Sequence, residues 1–351
     1  MRLFGYRPVK LTVIGPGERI PPALLAGLVK LGGGRIISTA LVVPFLIATA
    51  GLLLLLGGGE LLVGGARDLA RHWGLSPLLI GLTVVAFGTS LPELFIALGA
   101  SWRGVPGIML GNVIGSNIAN IGLILAISLL FFPLRLALRS VALEMVLLHL
   151  ATAGLFGLTL LGYFPAPAGW LSIALLVAYT FWAYRRAAAA NGAGAGTRAE
   201  ALPISGIGRT LLLVAIGLLA LAAGSELFLH GAVEISRGMG ISELVIGLTL
   251  AAIGTSLPEL ATCFAAIRQR QDTLLVGNII GSNIFNLLMV LGITGTLLPF
   301  ALPATLLQRD LPVMLAFSLV LLLLIAWRGR LGRLLGAGLL VAYGGYLYTL
   351  L

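Results

Sequence analysis

The sequence predicts an all-α polytopic membrane protein, with ten transmembrane helices in two inverted five-helix repeats. Three observations predict it. Hydrophobic residues make up 59% of the 351 and charged residues only 10%, against about a quarter charged in a soluble domain. Runs of roughly 20 apolar residues, the length that crosses a bilayer, recur along the whole chain. One long block also occurs twice, Glu259 repeating Glu93 at an offset of 166 residues. The runs are continuous rather than alternating, which excludes a transmembrane β-barrel.

Residues 1–36 form an N-terminal tail with Arg2, Arg7, Lys10, Arg19, Lys30 and Arg35. It lacks the pattern of a cleaved secretory signal, and a short interfacial helix is expected at 22–31. Ten spans follow, near 37–65, 76–101, 106–131, 138–162, 167–185, 208–235, 242–267, 273–298, 311–328 and 332–351. The first repeat is 37–185 and the second 208–351. The small, Gly-bearing, polar segment 186–207 links them.

The duplicated strings are GLTVVAFGTSLPEL at 81–94 with GLTLAAIGTSLPEL at 247–260, and GNVIGSNIAN at 111–120 with GNIIGSNIFN at 277–286. Glu60 with Glu226, Gly65 with Gly231 and Pro133 with Pro299 keep the same offset, so 57–133 aligns with 223–299 without a gap. Five spans per half is an odd number. The second half therefore enters the bilayer upside down, a common plan of secondary transporters.

The net charge of +10 comes almost wholly from arginine in short loops. Loops after odd-numbered spans hold thirteen basic residues and those after even-numbered spans hold three, Arg103, Arg237 and Arg309. The basic loops belong on the cytoplasmic side, which places the chain in the plasma (inner) membrane as a multi-pass protein with both termini extracytoplasmic. The six basic residues of the tail run against this orientation. Loop charge of this kind accounts for the basicity without nucleic-acid binding. Cys263 is alone, and His72, His149 and His230 are scattered, so neither a disulfide nor a zinc site is expected.

Glu93 and Glu259 lie deep in apolar runs, where a carboxylate costs about 3 kcal/mol on insertion scales. No Lys or Arg lies near the middle of any span, and two glutamates can neutralise one divalent cation. Thr89 and Thr255, four residues earlier, share a helix face with the carboxylates. Pro92 and Pro258 lack an N–H and free the carbonyls of Gly88 and Gly254, breaking the helix where backbone oxygens can line a site. Asn112, Ser116 and Asn120 form a stripe at spacing four, repeated by Asn278, Ser282 and Asn286. All these donors are oxygens, a set for hard cations such as Ca²⁺ or Na⁺. Gly111, Gly115, Gly277 and Gly281 allow close helix approach. A single Ser, Thr or Asn in a membrane helix is ordinarily interhelical glue; the same constellation twice around two carboxylates points to a site. Glu60 and Glu226 lie nearer polar ends and read as structural or gating residues. Asp68, Asp272, Asp310 and Glu144 sit at loop edges and read as solvated.

At GTSLPEL and GNxxGSNIxN, in duplicate, the chain resembles the calcium/cation antiporter superfamily, most of all its prokaryotic sodium/calcium exchanger branch, over 37–351. The resemblance implies ten helices in two inverted repeats and exchange of Na⁺, or in some branches H⁺ or K⁺, against Ca²⁺ by alternating access. It implies Glu93 and Glu259 as central ligands. Thr89, Ser90, Ser116 and Asn120 would serve with them in the first repeat, and Thr255, Ser256 and Ser282 in the second, with the carbonyls of Ala86 and Ala252 assisting. Some members carry Asp where this chain has Asn286, which leaves two formal charges in the site and weakens inference about the counter-ion. The first and sixth helices would slide across the core to open the site to either side.

A Ca²⁺/H⁺ or K⁺-dependent antiporter is the nearest alternative, and a passive divalent cation channel is one of a different class. An enzyme is not expected, because no His or Lys base accompanies the serines at membrane depth. The expected partners are Ca²⁺, Na⁺ and the lipid bilayer, with no cofactor, no nucleic acid and no obligate protein partner.

Overall fold

The computed structural model describes residues 28–31, 35–193, 206–240 and 254–350. Eight helices among them are long and apolar enough to cross a membrane. These are α1 (Thr39–Trp73), α2 (Pro77–Trp102), α3 (Pro106–Phe131), α4 (Leu138–Leu160), α5 (Ala166–Ala193), α6 (Ile207–Gly238), α8 (Asp272–Leu297) and α9 (Asp310–Arg328). Two shorter helices are α7 (Leu257–Arg268), whose preceding residues 241–253 lie outside the described part, and α10 (Arg333–Tyr348).

The structure corrects three boundaries. Residues 28–31 are not helical: strand β1 (Leu28–Leu31) pairs antiparallel with β2 (Arg35–Ser38), while 22–27 lie outside the described residues. A stretch bounded by glycines and rich in Val, Ile and Leu suits a strand better than a helix. α1 continues eight residues beyond the expected end at 65, with Asp68 3.7 Å from Arg71 one turn on, a spacing that supports helix. α5 runs past 185 to Ala193 on Ala-rich sequence, so Arg185 and Arg186 sit on a helix rather than in a loop. Of the expected linker, 194–205 lie outside the described residues.

α8 is the hub. Its most apolar window is 100% buried, against 17% for α1 and 28% for α6, so α1 and α6 face lipid across much of their surface. They pack against each other antiparallel along a glycine seam. Gly51, Gly58 and Gly65 on α1 repeat every seven residues, as do Gly217, Gly224 and Gly231 on α6. A Cβ at Gly224 would lie 2.8 Å from Leu55 N and 2.9 Å from Gly51 O; one at Gly217 would lie 2.7 Å from Leu62 N and 3.0 Å from Gly58 O. Small residues are what let membrane helices bring their backbones together.

Several further contacts recur in the two halves, at an offset of 166 residues near α3 and α8 and of 167 near α5 and α10. α5 meets the end of α8, where Gly169 faces Gly292 and Thr296; α10 meets the end of α3, where Gly336 faces Ala126 and Leu130. Strand β3 (Leu134–Arg135) pairs with β6 (Arg330–Leu331), and β4 (Tyr163–Phe164) with β5 (Phe300–Ala301). Each of these short ladders joins one half of the chain to the other.

Glu60, read from sequence as structural or gating, anchors α1 to α7. Its carboxylate is 3.2 Å from Arg268 Nε and accepts a 2.9 Å hydrogen bond from Gln269 Nε2, which also donates to the Glu60 carbonyl at 3.0 Å. The Arg268 side chain is 68% exposed, so the ion pair itself contributes little. Glu60→Ala is expected to destabilise the protein by about 1 kcal/mol, mostly through the lost Gln269 bond, and Arg268→Ala by less. Thermal unfolding of both variants in detergent checks the order.

Candidate cation site

Both carboxylates stand at a helix restart. In α2 the helix stops at Ser90 (φ −85°, ψ 1°) and resumes at Leu91, with Pro92 and Glu93 in its first turn. α7 repeats this at Ser256 (φ −89°, ψ 6°), with Pro258 and Glu259 in its first turn. Proline suits a first turn because its missing N–H is unneeded there. The positive end of each restarted helix favours a negative charge. α3 and α8 change winding at the matching place: π-helical turns begin at Asn120 (Asn120–Leu125) and at Asn286 (Asn286–Val290), the kind of bulge that frequently marks a functional site.

Four cross-half contacts gather these residues. Thr89 Oγ1 is 3.4 Å from Ser282 Oγ, and Thr255 Oγ1 is 3.3 Å from Ser116 Oγ, the same pair under the 166-residue offset. Thr89 also donates to Asn278 Oδ1 at 3.2 Å, and Asn120 Nδ2 donates to Asn283 Oδ1 at 2.9 Å. Ser116 reaches Glu93 Oε1 at 3.5 Å, and Asn112 Nδ2 donates to the Glu93 carbonyl at 3.3 Å. Beneath Thr89, a Cβ on Gly281 would press on Ala86 and on the Leu82 carbonyl at 2.8 Å, so Gly281 permits the close α2–α8 approach expected of it. Gly277 does likewise against Leu78 and Leu82. For Gly111 and Gly115, the residues at the corresponding offset fall within 241–253, outside the described part.

What the protein does not supply is equally specific. Both oxygens of Glu259, Glu93 Oε2, the hydroxyls of Ser90 and Ser256, and the side-chain carbonyls of Asn120 and Asn286 are buried without a hydrogen-bond partner among the described residues. Buried polar atoms are almost always satisfied, and an unpaired carboxylate away from water is the most costly of them. Seven oxygens of this kind, five of them on Ser90, Glu93, Ser256 and Glu259 at the two helix restarts, fit a hard cation taking six to eight oxygens. Among the described residues no cluster of three or more His, Cys, Asp or Glu occurs, so the formal charge near these oxygens is that of the two glutamates.

The structure therefore brings together Thr89, Glu93, Ser116 and Asn120 with Thr255, Ser282, Asn278 and Asn283, while Ser90, Ser256 and Glu259 are buried at the two helix breaks and Asn286 at the second π-helical turn. Two expectations about the carbonyls change. Pro258 does release the Gly254 carbonyl, but Ser225 of α6 donates to it at 2.7 Å, so that oxygen ties α6 to the break instead of standing free. The Ala86 carbonyl accepts the Ser90 N–H at 3.0 Å and is also within 3.5 Å of the Thr89 hydroxyl, so it is not a free oxygen. Ala252 lies outside the described residues. Glu144 is a correction: it is buried, not solvated, and its Oε1 accepts the Tyr179 hydroxyl at 2.9 Å. Ser225, Asn117 and Asn283 were not singled out from the sequence. For the two asparagines the signal was present, since the GSN triplet is itself duplicated.

Two cavities approach these residues. One of about 370 Å³ extends to Asn112 and Thr255 from a rim bearing Asp310, whose carboxylate is held by Arg309 at 2.9 Å and by the Tyr346 hydroxyl at 3.2 Å. The other, of about 230 Å³, lies between α6 and the two breaks, lined by Thr89, Thr255, Ser225 and Glu226.

Comparison with known proteins points the same way. Residues 43–187 and 209–351 match the sodium/calcium exchanger protein family. The chain is 35% identical to the inner membrane protein YrbG of Escherichia coli over 87% of this chain and 96% of that one. It is 33% identical to the sodium/calcium exchanger MaX1 of Methanosarcina acetivorans over 88% and 98%. Its fold matches the solved structure of the sodium-calcium exchanger NCX_Mj soaked with Na⁺ and Ca²⁺, with a TM-score of 0.74 and 33% identity over 88% of this chain and 99% of that one.

Proposed function

The chain belongs to the sodium/calcium exchanger protein family, and from that premise we propose that it exchanges Ca²⁺ against Na⁺ by alternating access through one site shared by both ions. Glu93 and Glu259 are the central ligands of that site. Thr89, Ser90, Ser116 and Asn120 serve with them from the first half, and Thr255, Ser256, Ser282 and Asn286 from the second. The observation that carries this reading is the duplicated set of buried oxygens without partners, centred on two carboxylates at helix restarts. Membership of an exchanger family gives a passive channel no support.

The protein is read as ten transmembrane helices in two inverted repeats, 37–185 and 208–351, in the inner membrane with both termini outside. The antiparallel α1–α6 seam and the exchanged pairs Thr89–Ser282 and Ser116–Thr255 support the inversion. In the mechanism, Ca²⁺ or several Na⁺ neutralise the two glutamates. The neutral, occupied core then passes the apolar α1–α6 pair as that pair shifts across it. The empty site carries two uncompensated charges, which apolar surface cannot cover cheaply, so an empty carrier does not switch and the fluxes stay coupled.

Asn286 supplies an amide where a carboxylate would add a third charge, so H⁺ or K⁺ remain the alternative counter-ions. Proteoliposomes separate them when Na⁺, K⁺ and H⁺ gradients are imposed one at a time. An outward Na⁺ gradient with pH clamped on both sides is expected to drive Ca²⁺ uptake. Uptake that follows the proton gradient alone would replace Na⁺ by H⁺, and uptake indifferent to every gradient would overturn exchange altogether.

A further inference from the structure

A third cavity, of about 540 Å³, lies away from the cation site, where the start of α4 and the end of α5 meet the N-terminal turns of α2 and α8. Its floor is apolar, made by Leu78, Leu79 and Leu82 of α2. Its rim is basic. Arg139 stands in the first turn of α4, and Arg186 lies on α5 with its guanidinium 5.2 Å from the Trp182 ring centroid. Neither arginine has an ion-pair partner among the described residues.

Three features select the ligand. The α4 N-terminus has no side-chain cap and no acidic residue in its first turn, so its free N–H groups add to the pull of the arginines on an anion. The carboxylate in the lining, Glu144, is engaged by Tyr179. Two arginines and one glutamate leave the lining at +1, which matches one phosphodiester charge and disfavours a dianion. The apolar floor, open between membrane helices, suits acyl chain and glycerol but nothing in a free phosphate.

We infer that this cavity binds the phosphodiester headgroup of a membrane phospholipid, with Arg139 and Arg186 on the phosphate and the lipid body against α2. Guanidinium–phosphate bonds are charge-assisted and bidentate, and basic pockets between membrane helices are a recurrent way of holding lipid headgroups. The site is independent of the transported ions.

The test uses the full-length protein in neutral detergent, titrated with phosphatidylglycerol and followed by native mass spectrometry and thermal unfolding. Wild type is expected to retain lipid and to gain thermal stability. Arg139→Gln with Arg186→Gln is expected to weaken retention at least about tenfold. Arg135→Gln with Arg185→Gln removes the same charge from the same face and is expected to leave retention unchanged. Equal loss in both pairs means diffuse surface charge and overturns the site, as does equal retention in wild type and the first pair. Displacement of the lipid by millimolar inorganic phosphate would assign the pocket to the free ion and overturn the lipid reading. Unchanged calcium uptake by both double variants in neutral lipid shows that each is folded.

Discussion

Glutamine in place of Glu93 or of Glu259 abolishes calcium uptake into vesicles while the protein still folds and inserts. Each substitution keeps shape and removes one of the two negative charges that face the unpartnered oxygens. A dication in a site with one counter-charge is undercompensated, and removing one partner of a buried ionic set costs several kcal/mol. Uptake at fixed calcium should therefore fall at least about 100-fold. Stability should move the other way or not at all. A carboxylate buried at membrane depth is a burden on the fold of about 3 kcal/mol, most of all at Glu259, neither of whose oxygens has a donor among the described residues, and a neutral amide lightens it. Radioactive calcium uptake measures the first effect, and thermal unfolding with size-exclusion chromatography in detergent measures the second. Uptake near wild type in either variant would sink the assignment of that glutamate, and loss of the folded peak would leave Glu93→Asp and Glu259→Asp, which keep the charge, to separate folding from binding.

The parts of this site that were legible in the sequence are those whose signal is local. A carboxylate after Gly-Thr-Ser-Leu-Pro has to stand at a break, because proline four residues past a glycine removes the hydrogen bond that would close the turn; Ser90 and Ser256 show that break. The duplication then doubled every local reading. What escaped depends on contacts between elements distant in the chain. Nothing near Gly254 says that its carbonyl will be taken by Ser225, 29 residues upstream on another helix. Glu144 looked like a loop-edge carboxylate because its partner, Tyr179, comes from the following helix. α1 and α5 run past the ends expected at 65 and 185, because arginines are good helix residues: Arg71 sits in the last turn of α1, where it favours the negative end, and Arg185 and Arg186 are followed by an alanine run that continues α5. The π-helical turns at Asn120 and Asn286 leave no mark in the residue pattern, although the asparagines on which they begin were identified.

Gly57→Ala and Gly224→Ala are the same chemical change inside long membrane helices, and they should act in opposite directions. At Gly57 a Cβ meets nothing within 4 Å. There alanine gains its intrinsic helix advantage of about 1 kcal/mol and leaves exchange unaltered. At Gly224 the new Cβ would stand 2.8 Å from Leu55 N and 2.9 Å from Gly51 O. Both are backbone atoms in the middle of a helix, so no side chain can rotate away and α1 and α6 must separate. Overpacking of this kind costs about 1–3 kcal/mol, and separation loosens the crossings at Gly217 and Gly231 as well. The functional loss should exceed the loss in stability. If α1 and α6 cross the core as one body, their seam is the joint that keeps them together while Ser225 releases Gly254 and Glu60 releases Arg268 and Gln269. A loosened pair would leak that motion into relative slippage. Thermal unfolding and initial exchange rates on the same preparations check both signs. The double variant Gly51→Ala with Gly224→Ala gives a sharper reading, because the two positions share one crossing. Once the first methyl has pushed the helices apart, the second meets less resistance, so the combined destabilisation should fall short of the sum of the two single changes. Additive losses would mean that the helices bend locally at each methyl, and the pair would then not be moving as a rigid body.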